Sequence, residues 1–414
     1  MLFLEFAAWG AYLTSQGRYL GNIGMGSLIG WFFSVQVFVS IFMPALIGII
    51  ADKDIPAQKV LGYCHALAGI SMVAAGVYGV QAGEAVQFAP LFALYTFSVA
   101  FFMPTIALTN TVSYNILAKG GEDPVTVFPK LRVFGTIGFI IMMLVSNWTG
   151  FQDNACQYIL SGGISLILAI YSFTLPNCEI TKAAAGEKTN LAEILGLKAF
   201  TLFKDSKMAI FFIFSFLLGA ALQVSNGFAN TFLANFGGIP EYANSFAVKN
   251  SNVILSISQV SETLCILLIP FFLKKFGIKV VMLMAMFAWT LRFGFFGLGN
   301  PNGGAWLFIL SMIVYGVAFD FFNISGSLFV EQNTSKEIRG SAQGLFMLMT
   351  NGLGASIGSL AAQAVVTACT GGLQGTELMT GWSHAWYIFA AYAFVVGVLF
   401  MILFKNPQKK QAKA

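Results

Sequence analysis

The chain has 414 residues and a net charge of +5, but only 9% of its residues are charged and 57% are hydrophobic. Soluble globular chains carry roughly 25% charged residues, so this composition excludes a soluble protein. Apolar runs of about 20 residues, the length of one helical crossing of a bilayer, recur along the whole chain. A transmembrane β-barrel would instead show alternating segments of about 10 residues, so the sequence predicts an all-α integral membrane protein.

The apolar runs predict twelve membrane-spanning helices, six on each side of one long polar stretch. The first six predicted spans are residues 2–20, 27–50, 60–80, 89–117, 129–149 and 155–175. The second six are residues 208–236, 253–273, 280–298, 305–330, 342–366 and 385–404. We therefore predict an N-terminal six-helix bundle in residues 1–178, a cytoplasmic linker in 179–207 and a C-terminal six-helix bundle in 208–414.

Basic residues predict the orientation, because Lys and Arg near the ends of spans stay on the cytoplasmic side. Of the 22 basic residues, 18 lie in alternate loops, in the linker or in the C-terminal tail. The other four are Arg18, Arg132, Lys249 and Arg292. Both termini and the linker are therefore expected in the cytoplasm. The net positive charge has a topological explanation, and we expect no nucleic-acid partner.

The start of the chain has neither a basic region nor a small-residue cleavage site before its first polar residues, so we expect no secretory signal peptide. Short basic turns recur after the second and eighth spans, in residues 48–53 and 273–279. Their positions resemble the corresponding loops of the major facilitator superfamily, whose two halves are repeats. The match is partial, because Asp54, Ile55 and Pro56 stand where that loop motif carries Gly and Arg.

Charged residues inside spans are informative, because each costs roughly 2.5 to 3.5 kcal/mol at the centre of a membrane helix. Glu5 and Arg132 lie nearer the predicted cytoplasmic ends of spans 1 and 5, where snorkelling lowers the cost. In span 5, Thr136 follows Arg132 by one turn and Phe139 comes a further turn along. These residues are candidates for a binding face; the alternative is an orientation-setting arginine beside a packing threonine.

Spans 7 and 8 each carry a polar pair three residues apart, a spacing that puts both side chains on one helix face. The pairs are Gln223 with Asn226 and Gln259 with Glu262. Together they predict a hydrogen-bonding wall. The alternative is simple interhelical bonding, which polar side chains often provide in membranes.

Span 10 contains Tyr315 and Phe319, which share a helix face at a spacing of four, and Asp320, which points about 100° away. The two rings are suited to stack on a planar ligand, although packing or lipid contact is the alternative in a chain with 43 Phe. The apolar neighbours of Asp320 disfavour its ionised form, so this carboxyl is a candidate for carrying a proton beside the ligand.

Other polar residues give no site. His65 and His384 belong to no ligand cluster and are predicted to be structural, the five cysteines act as small hydrophobic residues, and Arg292 has no evident partner. Hydrolase, metalloprotease and ATP-binding signatures are absent from the sequence. We therefore expect no catalytic residue, no metal and no cofactor, and we predict that the protein is not an enzyme.

Several stretches closely resemble the nucleoside:proton symporters of the major facilitator superfamily, and the resemblance runs through nearly all twelve spans. The stretches are residues 131–139, 208–215, 256–263, 311–326, 341–344 and 349–352. The resemblance implies two six-helix bundles rocking about a midplane site, in the cytoplasmic (inner) membrane of a bacterium. It also implies proton-coupled nucleoside import, which we expect a monomer to perform.

The resemblance also implies the site residues. The nucleoside would contact Arg132, Thr136, Phe139, Gln223, Asn226, Gln259, Glu262, Tyr315 and Phe319, with Asp320 as the proton-coupling residue beside them. At position 5 the chain departs from the family by carrying an acid in place of a neutral polar residue. Two alternatives remain open from the residues alone: a proton-coupled sugar or oligosaccharide symporter, and a membrane sensor or scaffold that binds without transporting.

Overall fold

The computed structural model describes residues 1–53, 55–178, 197–335 and 338–404. The regular elements in these ranges are all helical, and the chain divides into two compact units, residues 1–189 and 190–414. Most of the predicted linker, residues 179–196, and the basic tail from residue 405 lie outside the described residues. The described part of the linker contains a 3-10 helix, Leu197–Lys204.

The described residues of the N-terminal unit form seven α-helices. They are α1 (Leu2–Gly10), α2 (Gln16–Asn22), α3 (Ile29–Lys53), α4 (Ala57–Ala82), α5 (Phe88–Lys119), α6 (Pro124–Trp148) and α7 (Cys156–Phe173). Helix α6 begins five residues before the predicted span, because Pro124 suits the first position of a helix, where no backbone N–H is needed.

The first predicted span is two helices rather than one. Residues 11–15 form turns between α1 and α2. Two side chains of this stretch form hydrogen bonds with other helices. The Tyr12 hydroxyl donates to Oε1 of Gln36 at 3.2 Å, and the Ser15 hydroxyl donates to Oε1 of Gln157 at 2.9 Å. Such a break is tolerated in a membrane only inside protein, and residues 10–20 are all buried.

The C-terminal unit also contains seven described α-helices. They are α8 (Ser206–Asn235), α9 (Phe246–Lys249), α10 (Ser251–Leu298), α11 (Ala305–Asn333), α12 (Arg339–Met347), α13 (Ala355–Thr370) and α14 (Gly375–Leu403). Helix α8 starts where Asp205 accepts hydrogen bonds from the backbone N–H groups of Lys207 and Met208, an N-cap that satisfies two free donors.

Four predicted spans of this unit differ in detail. Spans 8 and 9 both lie in α10, where Gly277 interrupts the helical conformation with φ 75°. Span 11 is divided by a π-helical segment, Leu348–Gly354, between α12 and α13. Span 12 starts ten residues earlier than predicted, because positive φ angles at Gly372 and Gly375 turn the chain there. His384 lies inside α14.

By length and composition, nine helical stretches of the described residues can cross a membrane. The other predicted spans are the first, which is divided between α1 and α2, and the eighth and ninth, which share α10. The helical membrane architecture therefore agrees with the sequence, and the count of twelve stays a prediction.

Glycines allow helices to touch backbone to backbone in both units. A Cβ atom on Gly10 of α1 would overlap the Phe139 carbonyl of α6, and one on Gly138 of α6 would overlap the Phe3 carbonyl of α1. In the C-terminal unit, a Cβ atom on Gly219 of α8 would overlap the Thr350 carbonyl of the π-helical segment. Small residues at such crossings are the usual means of tight helix packing in membranes.

Candidate functional site

The polar pair on α8 forms as the spacing predicts. The amide nitrogen of Asn226 donates to Oε1 of Gln223 at 3.2 Å, and both side chains are partly buried. Asn226 also lies within hydrogen-bonding reach of the Tyr315 hydroxyl. This face of α8 is therefore next to the aromatic pair of α11.

The aromatic pair on α11 is stacked. The rings of Tyr315 and Phe319 lie 5.7 Å apart between centroids with an interplanar angle of 15°. Tyr315 is buried and Phe319 is partly exposed. Because the outer ring is only partly covered, the stack can be extended by another flat group.

A close approach between α10 and α11 places Glu262 beside this pair. A Cβ atom on Gly316 would lie 2.6 Å from the Ser261 carbonyl oxygen and 2.7 Å from Sγ of Cys265, so only glycine fits there. The Ser261 hydroxyl donates to the Ile313 carbonyl across the same contact. Glu262, the next residue, interacts electrostatically with both Tyr315 and Asp320, while Gln259 lies one turn earlier and is partly buried.

Asp320 is buried, with 5% of its surface exposed. Its Oδ2 atom has no hydrogen-bond partner within the part of the chain that the structure describes. A buried carboxyl oxygen without donors favours the protonated acid over the carboxylate, and such an atom in a native fold calls for a functional explanation.

The three candidates of the N-terminal unit lie on α6. The guanidinium carbon of Arg132 is 3.8 Å from the centre of the Phe6 ring, and Thr136 is partly buried one turn further on. Phe139 is buried and packs edge to face against Trp9, with centroids 6.2 Å apart. The structure therefore places these three residues on one stretch of α6 that packs against α1.

Sequence reasoning missed the contacts of Arg292, which is buried in the C-terminal unit. Its guanidinium carbon lies 4.4 Å from the centre of the Tyr315 ring. It donates to the Ser311 carbonyl at 2.7 Å and to the Ser225 hydroxyl at 3.3 Å. These partners belong to two other helices, so no pattern within α10 could have identified them.

The expectation that Glu5 snorkels to the membrane surface is wrong. Glu5 has no exposed surface, and its carboxylate accepts hydrogen bonds from His65, Thr105 and Thr109. A glutamate whose oxygens are bonded inside the protein has no reason to extend towards water.

The sequence is similar to those of known nucleoside transport proteins. A family model described as nucleoside H+ symporter matches residues 1–409. The chain is 46% identical over 421 residues to the xanthosine permease of Escherichia coli (strain K12), covering 100% of this chain and 97% of that protein. It is 45% identical over 406 residues to the nucleoside permease NupG of the same organism, covering 97% and 94%.

Solved structures show the same relationship. The crystal structure of the nucleoside transporter NupG matches with a TM-score of 0.88 at 44% identity, covering 98% of this chain and 97% of that chain. An inward-open structure of the xylose transporter XylE from E. coli matches with a TM-score of 0.64 at 13% identity, covering 99% and 96%. The second likeness concerns the fold alone.

Proposed function

The chain belongs to the nucleoside H+ symporter family and has the major facilitator fold, and on this basis we propose that it is a proton-coupled nucleoside importer working by alternating access. The observation that carries this function is a family match over nearly the whole chain, together with 45% identity to a nucleoside permease. The membrane is the bacterial inner membrane, with both termini on the cytoplasmic side, and the monomer is the working unit.

We propose that the C-terminal unit supplies most of the nucleoside contacts. Amide and carboxylate groups can bond ribose hydroxyls and base edges, and an aromatic stack can extend over the base. The stacked pair of Tyr315 and Phe319 beside Asn226 and Glu262 has this chemistry within one small region. The proposed substrate-binding set is Arg132, Thr136, Phe139, Gln223, Asn226, Gln259, Glu262, Tyr315 and Phe319.

The proton-coupling group is Asp320. Its carboxyl is buried beside Glu262 and has an oxygen without a hydrogen-bond donor among the described residues. A proton bound there is retained while the site is dry and is released when water arrives, because water stabilises the carboxylate. Asp320 is one position along the helix from Phe319, so its charge changes next to the stack and not within it.

The proton gradient supplies enough free energy for the accumulation of a nucleoside. One proton entering down about 100 mV and one pH unit supplies about 2.3 plus 1.4 kcal/mol. This corresponds to a several-hundred-fold gradient of a neutral nucleoside.

A panel of labelled nucleosides and free sugars, taken up by proteoliposomes with and without a protonophore, tests the function. We expect accumulation of nucleosides that the protonophore abolishes, without competition by sugars. Uptake of sugars in preference to nucleosides would support the alternative of a sugar symporter. Binding without counterflow exchange would instead indicate a sensor or scaffold.

Asp320→Asn tests the coupling role. The variant should still bind nucleoside and exchange it by counterflow, but its pH-driven accumulation should fall to the level of passive exchange. Glu241→Gln is the matched control, because Glu241 is an exposed carboxylate of the same unit bonded to Asn302. Full proton-driven accumulation by Asp320→Asn would contradict this assignment and transfer the role to another carboxylate.

A further inference from the structure

A second ionisable pair lies inside the N-terminal unit. Oε2 of Glu5 is 2.8 Å from Nε2 of His65, and neither side chain has exposed surface. Thr105 donates to Oε1 of Glu5 at 2.7 Å and Thr109 donates to Oε2 at 2.8 Å. Ionisable residues inside membrane segments are costly and commonly form proton relays, so this pair requires an explanation that the nucleoside site does not supply.

The imidazole of His65 can gain or lose a proton without losing a hydrogen bond. Its Nδ1 atom lies 2.8 Å from the Ser165 hydroxyl, which also lies 3.3 Å from the His65 carbonyl oxygen. When Nδ1 carries a proton it donates to Ser165, whose own hydrogen then bonds the carbonyl. When Nδ1 is bare, Ser165 donates to it, because a hydroxyl both donates and accepts. Both protonation states are therefore bonded with the heavy atoms in place.

The charge of the pair depends on that proton. With both ring nitrogens protonated, the imidazolium and the Glu5 carboxylate sum to zero, which suits a dry interior. With one nitrogen bare, a net negative charge remains buried, which is costly until water reaches it. The pair therefore holds a proton while enclosed and releases it to water when opened.

A row of hydroxyls leads away from the pair. Thr105, Thr109 and Ser113 recur every four residues on α5, which places them on one helix face, and all three are buried. The Ser113 hydroxyl donates to the Thr109 carbonyl at 2.8 Å, one turn beyond Glu5 in the direction of Lys119. Buried hydroxyls therefore line this face of α5 from Glu5 towards Lys119.

The other ionisable groups near the pair come from the helices packed around α1. Those that interact with Glu5 are His65 and the Cys64 thiol of α4 and the amino group of Met1. Helix α6 contributes Arg132, which stacks on Phe6, the residue after Glu5. Helices α5 and α7 contribute the hydroxyls already described. The direct ion-pair partner of Glu5 is thus His65.

We propose that Glu5 and His65 form a second proton-binding site, which loads and releases one proton in each transport cycle in addition to the proton on Asp320. The inference rests on the proposed proton-coupled nucleoside transport and deepens it by adding a coupled proton. A purely structural pair would bond the same helices but would leave the number of transported protons unchanged.

The reversal potential of purified protein in proteoliposomes counts the protons. For a neutral nucleoside at equal pH on both sides, a tenfold gradient is balanced by about 59 mV with one coupled proton and by about 30 mV with two. We expect about 30 mV for the unaltered chain and about 59 mV for Glu5→Gln, which keeps the size of the side chain and one accepting oxygen but replaces the other oxygen with an amide nitrogen that only donates.

A second variant and a control distinguish loss of the proton site from loss of folding. Ser165→Ala keeps Glu5 and His65 but removes the acceptor for the Nδ1 proton, so it should also give about 59 mV. Ser161→Ala removes the hydrogen bond from α7 to the Ala8 carbonyl, another buried interhelical bond, and should remain at about 30 mV. Counterflow exchange of nucleoside by each variant shows that it is folded.

The possible outcomes distinguish failure of the second proton site from failure of proton coupling itself. About 59 mV in the unaltered chain, or about 30 mV in both Glu5→Gln and Ser165→Ala, overturns the second proton site. An unaltered chain that exchanges nucleoside but shows no nucleoside-dependent reversal potential contradicts proton coupling itself, and with it the proposed function.

Discussion

Replacing Arg292 should weaken nucleoside binding although the residue is too deeply buried to touch a ligand from solvent. Its guanidinium lies against the Tyr315 ring and is fixed by bonds to the Ser311 carbonyl and the Ser225 hydroxyl. The cation therefore holds the Tyr315 ring, the more buried of the two stacked rings, in place. Arg292→Met removes the charge while filling a similar volume.

The expected magnitude follows from these contacts. A desolvated cation–π contact contributes about 2 kcal/mol, and losing all of it through a freed Tyr315 ring corresponds to roughly 30-fold weaker binding. Thermal stability should change little in Arg292→Met, since removing a buried charge relieves its desolvation while losing its hydrogen bonds. Arg292→Lys should be less stable than Arg292→Met, because an ammonium stays buried but lacks the planar fork that reaches both oxygen partners.

Calorimetric titration with nucleoside and thermal unfolding of purified protein measure the two effects separately. Thr290→Val is the matched control, because its hydroxyl donates to the Met286 carbonyl of its own helix. In a Tyr315→Leu background, Arg292→Met should cause no further loss of affinity, since the ring on which it acts is gone. An equal loss in that background, or an unchanged dissociation constant in the single variant, would refute the reasoning.

Three further predictions concern the site, the topology and the packing. Glu262→Gln should weaken nucleoside binding roughly tenfold or more, since hydrogen bonds to charged groups contribute about 1.5–3 kcal/mol, and Gln259→Ala should weaken it less; unchanged affinity in both would remove them from the site. A unique cysteine at Lys198 should react with an impermeant reagent only after cells are broken, and labelling of intact cells would reverse the topology. Gly219→Ala should lower the melting temperature through overpacking of about 1–3 kcal/mol, whereas Gly294→Ala, whose Cβ atom meets nothing within 4 Å, should not; equal melting temperatures would disprove the close crossing.

Local helical geometry explains what could be predicted from the sequence. Pairs three or four residues apart share a face whatever the tertiary structure, so the Gln223–Asn226 contact and the Tyr315–Phe319 stack follow from spacing alone. The helical architecture follows equally from apolar runs that only a bilayer can accommodate.

Tertiary contacts explain what could not be predicted. Glu5 meets His65 and Thr105 across 60 and 100 residues of chain, so its position near the end of a span suggested a surface location that its partners exclude. The break after Gly10 and the π-helical segment Leu348–Gly354 both lie at close contacts with neighbouring helices. Neither feature has a local signal as strong as a proline.

The glycine crossings occupy equivalent places in the two predicted six-span halves. In the N-terminal unit the crossing joins the first and fifth predicted spans, and in the C-terminal unit it joins the seventh and eleventh, which hold the same places in the second half. Side chains can diverge freely after a duplication, but a crossing without side chains can change only if both backbones shift together. The two predicted halves therefore correspond more closely in these contacts than in the basic turns, whose sequences differ.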